Sequence, residues 1–144
     1  MREFEFRGKS KNSGRWVYGD LITQRYNSRQ GIHIYEKNDK LQSGYQFVRV
    51  DKKTIGQYTG LKDKNGKEIY EGDIFKIEDG YLVVKYERGY FALQCYGYYE
   101  YCLDGNAYET RWGELDTDPI WDWLLEGMEI VGNIYDNPEL LKGE

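Results

Sequence analysis

The feature that most constrains this chain is a run of short, strand-forming segments cut by glycine turns. Between Ile74 and Cys95, three pieces rich in aromatic and branched aliphatic residues, Ile74–Ile77, Tyr81–Tyr86 and Tyr90–Cys95, are separated by Glu78-Asp79-Gly80 and Glu87-Arg88-Gly89. Runs of this length and composition belong to strands, and turns this tight join antiparallel neighbours, so the segment reads as a β-meander. Short strands protect their edges best by closing on themselves. The expected architecture is therefore mainly β, an SH3-like barrel with additional strands, with Phe75, Ile77, Val83 and Phe91 among its core.

Alternation marks further strands around Glu3–Arg7, Arg15–Tyr18, Ile32–Tyr35 and Tyr45–Val50, and Ile130–Tyr135 reads as a last strand. Within them Phe4/Phe6, Trp16/Tyr18, Ile32/Ile34 and Tyr45/Phe47 each share one face. Asn12-Ser13-Gly14 closes a first hairpin, and Gln24–Gly31 is a polar loop. Beyond Gly97, "YYEYCL" is expected to pair with "AYETRW" across Asp104-Gly105-Asn106. One short helix is expected near 119–126, because Asp118 stands where a cap belongs, Pro119 suits the first helical position, and Ile120, Trp123 and Leu124 form one stripe before Gly127. Asn137-Pro138 repeats the signal for a terminal turn.

The stretch "TGLKDKNGKEIYEGDIF" (Thr59–Phe75) has the ingredients of a phosphate loop without its spacing. A phosphate loop needs four residues between its glycines and a hydroxyl residue after the lysine to bind magnesium. Here Gly60 and Gly66 bracket five residues, and Lys67 is followed by Glu68, whose charge repels phosphate. Asn65-Gly66 is instead a strong hairpin signal, because Asn tolerates and Gly accepts positive φ, and a two-residue turn with no ligand is expected there.

At 144 residues the chain suits one domain, with a possible N-terminal β subdomain, 1–58, packed on a barrel, 59–144. Apolar residues at 40% and aromatics at 17%, with only 2 Pro, support a packed core and exclude a disordered chain. No apolar run is long enough to span a membrane and the charged start lacks a leader pattern, so a cytoplasmic protein with no membrane association is expected. Cys95 and Cys102 fall on opposite faces of any single strand and read as reduced, packed thiols. With His33 the only histidine, a Cys/His zinc site lacks ligands. Asp116, Asp118 and Asp122 fit capping and helix-dipole roles better than a calcium loop. No cofactor, metal site or catalytic residue is expected: His33 sits on an alternating strand, and nothing selects a pair among 25 acids.

Charge is divided along the chain. Residues 1–67 carry 15 Lys+Arg and 7 Asp+Glu, and residues 68–144 carry 5 and 18. The net charge of −5 thus hides a basic first half and an acidic second half.

"TIGQYTGLKDKNGKEIYEGDIF" (Thr54–Phe75), "FEFRGKSKNSGRWVYGDLI" (Phe4–Ile22) and "EIVGNIYDNPELL" (Glu129–Leu141) occur in the order expected of, and closely resemble, the YopX family of phage and prophage proteins. That resemblance implies a mainly β, SH3-barrel-like fold and an accessory role in the bacterial host of a phage or prophage. It supplies no catalytic residue.

Taken together, the residues point to a non-enzymatic binding or self-assembling module, with a protein partner or homo-oligomer expected first. The alternative is a nucleic-acid-binding protein using the basic half and outward tyrosines. The candidate surface is Tyr90, Tyr96 and Tyr98 with Arg49, Lys52, Lys53, Lys62 and Lys64.

Overall fold

A computed structural model describes residues 4–23, 31–77, 80–87, 89–97 and 127–142. The chain divides into two compact units, Met1–Gly60 and Leu61–Glu144. Among the described residues the strands are β1 (Phe6–Lys9), β2 (Trp16–Thr23), β3 (Ile32–Lys37), β4 (Tyr45–Val50), β5 (Gly56–Lys62), β6 (Glu68–Tyr70), β7 (Asp73–Ile77), β8 (Gly80–Glu87), β9 (Tyr90–Gly97) and β10 (Ile130–Asn133). Short 3₁₀ turns occupy Lys52–Thr54 and Pro138–Leu141. The expected helix near 119–126 and the "YYEYCL"/"AYETRW" pairing lie outside the described residues.

In the first unit the strands lie in the order β4-β3-β2-β1-β5, all antiparallel where paired. The core is aliphatic: Val17, Ile34 and Val50 are buried, with Leu21, Ile32, Val48 and Ile55 packed against them. Gly8 permits the tightest part of this packing, since a Cβ there would lie 3.1 Å from the Val50 Cβ and 3.3 Å from Ile34 Cδ1. At Gly19 any side chain would collide with the Tyr35 carbonyl. The sheet curls until β4 meets the end of β1. Asp51 N–H donates to the Lys9 carbonyl at 2.9 Å, Lys11 N–H to the Arg49 carbonyl at 3.0 Å, and Ser10 and Val50 form an isolated bridge.

In the second unit β10-β7-β8-β9 form an antiparallel sheet. β7, β8 and β9 are the expected meander, in a continuous register from Ile74↔Val83 to Glu87↔Tyr90. Phe75, Leu82, Val84, Leu93 and Ile69 form the buried core, with Ile77, Phe91 and Leu61 partly buried against it. Phe75 and Val83 are fully buried as expected, whereas Ile77 and Phe91 sit at the margin. The expected SH3-like barrel is not what this meander builds: among the described residues β9 and β10 are the edges of an open sheet. The tighter curl occurs instead in the first unit, where small and aliphatic residues let opposite strands approach.

The Asp63–Lys67 turn follows β5. Gly66 N–H donates to the Asp63 carbonyl at 3.0 Å, so the central turn positions are Lys64 and Asn65, not Asn65 and Gly66 as expected. Asp63 itself causes the difference. Its Oδ1 accepts the N–H groups of Asn65 and Lys67, both at 2.9 Å, and its Oδ2 accepts Ile130 N–H at 3.2 Å. One buried carboxylate therefore shapes the turn and ties it to β10. Gly66 takes φ +78° at the exit, making a three-residue loop. At the C-terminal turn Pro138 is at the expected position, but Asn137 Oδ1 accepts Asn133 N–H at 3.2 Å and caps no helical amide.

These contacts give three expectations. Phe75→Ala should cost about 3–5 kcal/mol in chemical denaturation, and Phe91→Ala distinctly less because its ring is only partly buried. Gly66→Ala meets no atom within 4 Å and should cost about 1–2 kcal/mol from backbone strain alone. Burial, the largest single influence on Asp63, raises its pKa, but the amides of Ile130, Lys67 and Asn65 with the Lys67 charge outweigh it and hold the carboxyl below its ordinary value. Its contribution is therefore present above the unfolded pKa of about 3.9 and is lost as pH falls through the lower folded value. Asp63→Asn should lower stability at neutral pH and flatten the acid limb of stability against pH; an unchanged acid limb would remove Asp63 from its assigned role.

Candidate functional site

Alternation gives every strand of the first unit two faces, and the aliphatic core claims one of them. The opposite face carries the rings. On β4 the side chains of Gln46, Val48 and Val50 turn inward, leaving Tyr45, Phe47 and Arg49 outward. Register brings Lys37 opposite Tyr45, Tyr35 opposite Phe47 and His33 opposite Arg49. Tyr35 stacks on Tyr45 at 4.8 Å between centroids with 15° between planes, and meets Phe47 at 4.8 Å, tilted by 39°. Tyr45 remains 45% exposed and Phe47 57% exposed, so the trio is a supported but open aromatic surface.

Polar groups on these two strands are sorted by face. Glu36 lies on the face opposite the rings, where Arg15 grips it with both terminal guanidinium nitrogens and Gln46 Nε2 donates at 2.6 Å. The hydrogen bond from Arg15 is the main cause that holds Glu36 below the usual carboxylate range. The ring-bearing face carries an acid at this level, Asp20 on β2, opposite Tyr35. Farther along the sheet, Trp16 is covered by cations, with the Arg7 guanidinium carbon 4.6 Å and Lys9 Nζ 5.5 Å from its ring. Arg7 is buried there, so that end of the face is already filled by the protein's own charges.

The expected surface residues divide between the two units. Arg49 is exposed on β4, and Lys52 and Lys53 are exposed on the 3₁₀ turn, whose start is capped by Asp51 accepting Lys53 N–H at 3.1 Å. Lys62 ends β5, and Lys64 lies in the Asp63–Lys67 turn with its Nζ 3.6 Å from Glu129 of the same chain. Tyr90 and Tyr96 on β9 are half-buried. The Tyr96 hydroxyl donates to Gln94 Oε1 at 2.7 Å, and burial raises its pKa. Tyr98 lies outside the described residues. The aromatic trio Tyr35, Tyr45 and Phe47 was not singled out by sequence reasoning, although the alternation of Tyr45, Phe47 and Arg49 held the signal.

Among the described residues no group of three or more His, Cys, Asp or Glu side chains could hold a metal ion, and no helix is long and apolar enough to cross a membrane.

Comparison with known proteins adds the lineage. The crystal structure of protein EF1440 from Enterococcus faecalis is similar at a TM-score of 0.55 and 22% identity, covering 99% of this chain and 100% of that one, a likeness of fold. A comparison with curated proteins found no match. The model of the YopX protein family matches residues 5–142, nearly the whole sequence, and the chain belongs to the YopX family.

Proposed function

We propose that this protein is a non-enzymatic binding module whose working surface is the outer face of β3 and β4. The carrying observation is the sorting of side chains in the first unit. Aliphatics fill the interior while Tyr35, Tyr45 and Phe47 form a stacked, half-open surface on the other side. Exposed aromatics add little to folding and are costly in solubility, whereas rings held rigid by their neighbours suit an interface. The accessory role in a phage or prophage, inside its bacterial host, belongs to the same proposal.

A second reading, self-association, is favoured by charge. The first unit carries 12 Lys+Arg against 6 Asp+Glu and the second 8 against 19. Copies meeting basic unit to acidic unit would gain from that opposition and lose it in salt.

Two measurements check these readings. Phe47→Ser should change unfolding free energy by no more than about 1 kcal/mol, the scale of an exposed cross-strand pair; a loss of about 3 kcal/mol would make the ring structural and remove the proposed surface. Equilibrium sedimentation should show oligomers at low salt that dissociate as salt rises. A monomer at every salt concentration removes self-association.

A further inference from the structure

We infer that the outer face of β3 and β4 binds single-stranded nucleic acid, with bases stacking on Tyr45 and Phe47 and phosphates held by Arg49 and Lys37. The inference rests on the proposed binding role of this face and names its ligand.

Four observations favour that ligand. First, the rings lie at the right places. Tyr45, Phe47 and Arg49 follow one another at two-residue intervals on one face of β4, about 7 Å apart, a step an extended, unstacked nucleotide chain can follow. Tyr35 packs against both exposed rings and limits their freedom, so little order is lost when a base stacks on them.

Second, cations bracket the rings. Lys37 is paired across the strands with Tyr45, and Arg49 follows Phe47. The Lys37 side chain is 72% exposed, and its 3.6 Å contact with Asp39, itself 81% exposed, is a weak surface pair that a phosphate can displace. Third, Glu36 is on the other face and neutralised by Arg15, so the acid that a polyanion would meet beside the rings is Asp20 on β2, next to Tyr35 and one strand removed from Tyr45, Phe47 and Arg49.

Fourth, the structure disfavours the commonest protein-like use of such a strand. Addition of a peptide strand needs free backbone groups along the edge. At one end of β4 the Tyr45 carbonyl accepts Ser43 Oγ–H at 2.9 Å, and at the other the Arg49 carbonyl accepts Lys11 N–H at 3.0 Å. The chain's own residues thus occupy both ends of that edge, leaving the face as the means of recognition. A face of rings selects single strands over duplexes, because duplex bases are already stacked on each other.

The test uses the full chain and a labelled oligothymidylate of about 16 nucleotides, with the matching duplex and heparin as a base-free polyanion. Single strand should bind better than duplex. With two or three phosphates neutralised, its affinity should fall about seven- to twentyfold between roughly 50 and 200 mM salt. Phe47→Ser should weaken single-strand binding about tenfold with heparin binding little changed, and Arg49→Gln should weaken both. Tyr86→Ser, an exposed ring on β8 of the second unit, should leave them unchanged. Thermal unfolding of each variant confirms that it is folded. No single-strand binding at low salt, or binding indifferent to Phe47→Ser, overturns the inference. If oligothymidylate fails but Phe47→Ser shifts the oligomeric state, the binding face stands and its ligand is protein; if neither responds, the binding face falls as well.

Discussion

The close packing of Gly8 against Val50 and Ile34 sets the character of the first unit. One strand there offers a bare backbone to two branched aliphatics, so methyl groups fill the interior at that level. Once Val17, Ile34 and Val50 occupy that interior, strand alternation sends Tyr18, Tyr35, Tyr45 and Phe47 to the other side. The aromatic surface is thus a geometric consequence of a narrow aliphatic core. It also explains how rings can be displayed at modest cost: they lean on one another, and the backbone beneath them is held by the ladder between β3 and β4.

The second unit solves a different problem. Its strands are joined by turns that carry acids into buried positions, and each acid is satisfied by backbone amides. Asp63 accepts three N–H groups, and Asp73, almost wholly buried, accepts Tyr70 N–H at 2.8 Å beside the turn that leads into β7. A buried carboxylate is tolerable when several amides point at it, and it then fixes local geometry more firmly than a hydrophobic contact would. Lys64 and Glu129, held near each other by the same turn, show that part of the charge division along the chain is used within the second unit.

Much of the strand pattern was legible in the sequence. Tyr45–Val50 falls at its expected bounds, and the β7-β8-β9 meander is where short strand-forming runs and glycine turns place it. Two kinds of feature were not legible. The hairpin at Asp63–Lys67 looked like an Asn-Gly turn because local propensity was weighed without the carboxylate two residues earlier, whose partner Ile130 is distant in sequence. The ring surface of β3 and β4 is the second, because both faces of β4 are equally good strand faces in the sequence and only packing leaves Tyr45 and Phe47 exposed.

By itself the sequence determined that the chain is mainly β, where most strands run, and that its charge is split, because these follow from periodicity and composition along the chain. It also carried the blocks that mark the YopX family. Only the tertiary structure decided which face of each strand is interior. Alternation is symmetric: Tyr45, Phe47 and Arg49 on one side and Gln46, Val48 and Val50 on the other are equally good strand faces until a neighbour is packed against one of them. The bridge between Ser10 and Val50, forty residues apart, and the approach of Ile34 to Gly8 made that choice. In the second unit the same kind of information, strand pairing over long separations, leaves the meander open among the described residues where local pattern suggests closure.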